Sequence, residues 1–465
     1  MNRLTLLAFA ALLPASALFA QPDWSKYRAE TLRHFQALVQ LDTTDPPGNE
    51  TRAVEYLKKV LDAEGISSIV VAKDSARANL IARLKGNGSK RPLLIMAHTD
   101  TVQVDAAKWS VPPFSATIQG PHIYGRGTLD DKPDLVAALM TMLLLKRQNT
   151  PLDRDVIFVA EAGEEANTVP GIQFLVNEHW NEIDSEFCFA EGGGVRRAGG
   201  QIRFASIQTT EKMPRRATMI ATGPAGHGSR PMRSNALLHL SRAVEKIAMW
   251  DPPMRLNDTT RTYFEKLANL SPPDEAQHYK DLMNPQKSAA ARDWLAENDP
   301  AKYSMLHTSI APTMLQAGYQ VNVVPSEARA TLDIRALQDE NVPAFYDLML
   351  KIINDPAIKI VPITDNVRPP SPPSRIESDA YRAAEAAFRK VYNTPSVPLM
   401  QTGATDMSYL RTKGVQCYGI GPMIDDEDFS KGYGAHSDQE RILEEAVYKH
   451  VEFLWEAVTR TAAKP

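Results

Sequence analysis

The chain is short of cysteine. Only two occur in 465 residues, Cys188 and Cys417, which excludes a disulfide-stapled scaffold. Each lies in an apolar, strand-like run, so both are expected as buried free thiols. An excess of one charge is missing as well: 52 Lys and Arg stand against 56 Asp and Glu, for a net charge of -4. That balance gives no electrostatic footprint for nucleic acid or an anionic membrane. A membrane-spanning run is also absent. The strongest apolar stretch, Leu4 to Leu13, is too short to cross a bilayer. It follows Met1-Asn2-Arg3 and precedes small residues, with Ala17 or Ala20 as the cleavage point, and no cysteine lies nearby to accept a lipid. Residues 1–20 therefore read as a secretory signal peptide, and the mature protein is expected in a bacterial periplasm or outside the cell. There is no internal repeat and no low-complexity tract beyond one proline-rich segment.

What is there begins with length, enough for two or more domains with their own cores. Residues 24–64 carry helical spacing, with Phe35, Leu38 and Val39, then Val54, Leu57, Val60 and Leu61. Asp45-Pro46-Pro47-Gly48 is the turn between them. Pro92 to Ala97 is a continuously apolar run bounded by turn signals, the pattern of a strand buried on both faces. It ends at His98-Thr99-Asp100. The pattern repeats at Asp155 to Ala160, ending near Gly163-Glu164-Glu165. It repeats again at Glu186 to Ala190, ending at Glu191-Gly192-Gly193, and at Val415 to Ile420, before the loop with His436. Helical stretches separate these strands, so the class is α/β with the ligand edge at the carboxyl ends of the strands.

The middle of the chain reads differently. Strands at Ala217 to Thr222, Thr313 to Val324, Ala328 to Ile334 and Ile358 to Ile363 alternate with helices at Ser234 to Met249 and Val342 to Ile353. The order is βαββαβ, a ferredoxin-like α+β unit. Residues 250–308, polar and broken by prolines, read as an insertion within this small domain. Arg368-Pro369-Pro370-Ser371-Pro372-Pro373 reads as a stiff linker back. The expected organisation is residues 21–209 as the first part of a large domain, 210–366 as the inserted small one, and 367–465 as the second part of the large one.

One stretch organises the rest: Gly125-Arg126-Gly127-Thr128-Leu129-Asp130-Asp131-Lys132, two carboxylates between a glycine turn and the helix that starts at Pro133. Alone, it reads equally well as an acidic N-cap. Likewise His98 alone reads as a core histidine, Glu164-Glu165 as a solvated turn, and Glu191 and His436 as loop residues. Their joint placement after successive buried strands points instead to a divalent metal. Two histidines with carboxylates suit zinc. So many acids suit two ions roughly 3.5–4 Å apart, bridged by one carboxylate.

These motifs in this order resemble the co-catalytic zinc peptidase family of carboxypeptidase S, aminoacylase, carnosinase and succinyl-diaminopimelate desuccinylase. The similarity is strongest to the carboxypeptidase S and N-fatty-acyl-amino-acid hydrolase branch, through Trp109-Ser110-Val111-Pro112-Pro113-Phe114 and the Asp130 stretch. The resemblance implies a mixed-sheet catalytic domain with an inserted lid and two Zn2+ ions. It implies that Asp130 bridges them, with His98 and Glu191 at one ion and Glu165 and His436 at the other. Glu164 would be the general base, and Asp100 would hold His98 in the right tautomer. A cis peptide at Asp130-Asp131 is implied too. In the lid, Gly226-His227-Gly228-Ser229 resembles the motif whose histidine stabilises the oxyanion in a partner subunit's site, which implies a homodimer. Arg335, in Asp333-Ile334-Arg335, would pair with a substrate carboxylate. Asn322 and Gly403 match further substrate-binding motifs. Pro133 and Met213 stand where many members have glycine. The activity implied is hydrolysis of an amide next to a free carboxylate, in a peptide or N-acyl amino acid. A dipeptidase, a narrow aminoacylase or a non-catalytic binding protein on the same fold are the alternatives.

Overall fold

The computed structural model describes residues 21–365 and 367–464; the expected signal segment lies outside them. The central strands alternate strictly between two cores. Leu93, Ile95 and Ala97 face one, Leu94 and Met96 the other. Phe187 and Phe189 likewise oppose Cys188 and Ala190. Apolar side chains on both faces explain why these strands read as unbroken apolar runs.

Four strands run parallel side by side: Val156–Glu161, Leu93–His98, Phe187–Glu191 and Gln416–Ile420. Their carboxyl ends therefore share one edge, and His98 lies in register with Glu161. Further strands, joined on each side through an antiparallel pair, extend the sheet to ten strands, so it is mixed. The helix Lys132–Arg147 is buried along nearly its whole length in the first core, with Pro133 in its first turn, where a missing N–H costs nothing. Cys188 and Cys417 are free, buried and paired in register on adjacent parallel strands.

The chain leaves the large sheet after Gln201–Glu211 and enters a second, antiparallel sheet. Its order is Ser309–Ala317, Glu327–Ala336, Ala217–Thr222, Ile358–Pro362. The helices Ala236–Ala248 and Val342–Ile353 cover one face and share its core. This is the ferredoxin-like arrangement.

One expectation needs correction. The strand expected over 313–324 runs over Ser309–Ala317, and only Val323–Val324 resumes pairing, with Gly226–His227. Leu315, Tyr319 and Val321, which extend the apolar pattern, are exposed; they belong to a sheet edge and its turn. The stretch 250–308 touches both sheets: Trp250 packs on Phe345 of the small unit, with ring centroids 5.6 Å apart. Tyr263, Phe264 and Leu267 of the helix Asp258–Ala268 share a core with Val397 and Met400 of the large sheet. Thr259 also hydrogen-bonds Thr209 at 2.8 Å. Most of the insertion's apolar face is thus buried against the large sheet, with Leu337 of the small unit in the same cluster.

Candidate metal centre

The parallel edge delivers its side chains from fixed points. His98 is the last residue of its strand, and Glu191 the last of the neighbouring one. Glu164 and Glu165 follow Gly163, whose φ of +76° and close approach to the Asn167 carbonyl leave no room for a side chain. Asp130 ends the glycine turn through a cis bond to Asp131.

Asp130 is the shared member. Its Oδ1 lies 2.9 Å from His98 Nε2, and its Oδ2 lies 3.2 Å from His436 Nε2. His436 Nε2 is also 3.0 Å from Glu165 Oε1. Donor atoms of His98, Asp130 and Glu191 all lie within 4.8 Å of one another, as do those of Asp130, Glu165 and His436. The five expected ligands thus form two groups joined through one carboxylate. Burial and the neighbouring Asp130 push the Glu165 carboxyl up to about 7. Burial, Glu164 and Asp130 push Glu191 well above the usual range. Hydrogen bonds to Asp130 and Glu165 raise the His436 imidazole to about 10. Burial opposes ionisation of Asp130, but His436 and His98 hold it below the usual carboxylate range. Acids this crowded and buried repel one another, and bound cations relieve that repulsion. The donor set fits divalent ions.

Asp100 supports the site on two sides. His98 Nδ1 is 3.2 Å from the Asp100 carbonyl and 3.4 Å from its carboxylate. That carboxylate accepts the backbone N–H groups of Glu164 at 3.2 Å and Glu165 at 3.0 Å. Asp100 therefore ties the first histidine to the Glu164-Glu165 turn. Lys132, fully buried, donates to the Thr99 carbonyl at 2.6 Å and Thr43 at 2.8 Å, fixing the loop after His98.

Glu440 was not singled out from the sequence. It is fully buried. Its carboxylate accepts from Arg126 Nη1 at 2.6 Å and from the backbone N–H groups of Gly127 at 3.1 Å and Leu129 at 2.7 Å. It clamps the turn that presents Asp130, and it lies four residues after His436, the one signal that could have drawn attention to it.

Glu164, Glu165, Arg335 and Gly403 line one pocket of about 250 Å³, with Arg216 and Arg368. Arg335 is held by Asp333 through Nε at 2.7 Å. A second pocket of about 340 Å³ opens beside Asp130 and Glu191, lined by Leu129, Ile420, Met423, Ile424 and Leu443 among others. His227 and Asn322 line neither. His227 is exposed and its Nδ1 is 2.7 Å from Ser229 Oγ. The structure of one chain does not bring these two to the metal residues.

A parallel-edged α/β sheet with two His/carboxylate groups sharing one aspartate defines a metal-dependent hydrolase. The chain belongs to peptidase family M20/M25/M40, whose model matches residues 94–460. It is similar to a probable carboxypeptidase S-like 2 of Dictyostelium discoideum, 27% identical over 83% of this chain and 75% of that protein. It is also similar to the human N-fatty-acyl-amino acid synthase/hydrolase PM20D1, 26% identical over 87% of this chain and 81% of that protein. Among solved structures, an M20 family metallo-carboxypeptidase from Sulfolobus solfataricus has a TM-score of 0.69 at 20% identity, covering 93% of this chain and 99% of that one. Human carnosine dipeptidase 1 has a TM-score of 0.66 at 15% identity, covering 94% and 97%.

Proposed function

We propose that the protein is a two-zinc hydrolase that cleaves an amide or peptide bond next to a free carboxylate, as a metallocarboxypeptidase or N-acyl-amino-acid amidohydrolase. The observation that carries this reading is Asp130, whose two oxygens each face a different histidine. A bridging carboxylate between two imidazole-bearing groups suits a pair of borderline cations. Bound there, such ions lower the pKa of water from about 15.7 to about 7 and polarise a carbonyl. The substrate's carboxylate is received in the pocket with Arg216 and Arg335, and its apolar part in the pocket with Leu129, Ile420 and Met423. Glu164 takes the proton of the attacking water and returns it to the leaving nitrogen.

His227, exposed on the small unit, serves the site of a second subunit. The open edge strand Ser309–Ala317, with Met314 and Leu315 exposed, is the surface through which two copies pair. No helix among the described residues is long and apolar enough to cross a membrane; export rests on residues 1–20.

The test is a screen of N-acyl amino acids and dipeptides with the zinc-loaded protein, with Glu164→Gln as control. Turnover is expected to fall by about a hundredfold or more with metal retained. Near-normal rates in that variant defeat the assignment of Glu164 as the base.

A further inference from the structure

The strap from the strand Ile358–Pro362 back to the large sheet passes against Glu164. Arg368 lies in that strap and is only 8% exposed. Its Nη2 donates to Glu164 Oε1 at 2.6 Å and to the Glu164 carbonyl at 2.9 Å. Its Nη1 lies 3.1 Å from Asp406 Oδ1. Asp406 is 1% exposed, and neither of its carboxylate oxygens has a hydrogen-bond partner among the described residues. One guanidinium is thus wedged between a buried aspartate and the acid beside the metal ligands.

We propose that Arg368 is a positioning residue that holds the Glu164 carboxylate in place for proton transfer, with Asp406 as its buried counter-charge. The proposal rests on the reading of Glu164 as the general base. A glutamate on a turn has three side-chain torsions to fix, and a base must keep one oxygen within hydrogen-bond reach of the proton it takes. Arg368 grips the carboxylate and the main chain of the same residue, which fixes the torsions between them. It occupies Oε1 and leaves Oε2 to meet the proton. The obvious competing role is binding a substrate carboxylate, since Arg368 lines the same pocket as Arg216 and Arg335. Its Nη2 is committed to Glu164 and its Nη1 is buried at ion-pair distance from Asp406, whereas the Arg216 side chain is 55% exposed. The strap comes from the small sheet, so the base is held by the same segment that joins the two units.

The experiment compares Arg368→Ala and Arg368→Lys in the full-length, zinc-loaded chain, each alone and combined with Glu164→Gln. N-acetyl-leucine, N-octanoyl-leucine and leucyl-leucine are the substrates, with metal content and melting measured alongside. Arg368→Ala is expected to lower kcat by about tenfold or more with KM changed less than about threefold and metal retained. Added guanidinium ion restores part of the loss, and Arg368→Lys keeps most of the activity. In the Glu164→Gln background neither change lowers the residual rate further. A crystal structure of Arg368→Ala is expected to show the Glu164 carboxylate displaced. A rise in KM at constant kcat overturns the proposal in favour of substrate binding, and an equal further loss in the Glu164→Gln background overturns it by showing independence from Glu164. If Glu164→Gln itself turns over normally, the base assignment fails instead. If Arg368→Ala does not fold, full loss of kcat rescue in Arg368→Lys, with metal lost, also counts against it.

Discussion

Replacing Glu440 by glutamine keeps its shape and removes its charge. In the native site one carboxylate oxygen serves Arg126 Nη1 and Gly127 N, and the other serves Leu129 N and, at 3.4 Å, Asp130 N. Glutamine has one acceptor oxygen, so its amide group must point donors at donors on one side. A buried N–H left without an acceptor costs about 1–3 kcal/mol. Arg126 is 2% exposed, and a buried charge stripped of its partner costs about 3–5 kcal/mol. Arg126 keeps one bond, to the Ser437 carbonyl at 3.0 Å, which places the loss near the low end, about 3 kcal/mol. For a chain of this size that lowers the melting temperature by roughly 3 °C. Because the same carboxylate clamps the turn that presents Asp130, metal affinity should fall by about 10- to 100-fold. Thermal melts of the chelator-treated protein and competition against a chelating dye measure the two effects separately. A Glu440→Gln variant that melts within a degree of the parent and holds metal as tightly would refute the reasoning that this residue clamps the Asp130 turn.

Burial, with Lys212 nearby, pushes the His307 imidazole down to about 4. The unfolded imidazole takes up its proton near 6.5, so between pH 6.5 and 4 the unfolded state binds more protons and stability falls as the pH drops. His307→Phe should flatten that loss, by about 3 kcal/mol at most; denaturant melts at pH 7 and 4.5 that show the same fall in both proteins would remove His307 as its source. His227→Ala is expected to lower kcat about tenfold or more with metal content unchanged, read from steady-state kinetics and metal analysis. Unaltered turnover would take the exposed histidine out of the reaction.

The parts of this protein that depend on neighbours along the chain were legible in the residues. Strands with both faces covered leave an unbroken apolar run, and the chemistry-bearing residues sit at the ends of such runs: His98, Glu164, Glu165 and Glu191. The glycine turn, Pro133 and the following helix announce where Asp130 is held. The same local reading overran at 313–324, because Leu315, Tyr319 and Val321 keep an apolar pattern although the structure leaves them exposed. For 250–308, helical spacing shows that a face will be buried but not against what.

Sheet order and side-chain direction decided the rest. Which oxygen of Asp130 meets which histidine depends on a loop more than three hundred residues from His98, folded back by the strand pairing. Glu440, four residues after His436, and Arg368, at the head of the proline-rich segment, carry no local sign of their roles. They matter because tertiary packing buries one among the N–H groups of the Asp130 turn and the other against Glu164. A sequence records the period and chemistry of its side chains; only packing sets which of them, far apart in the chain, share the same few ångströms.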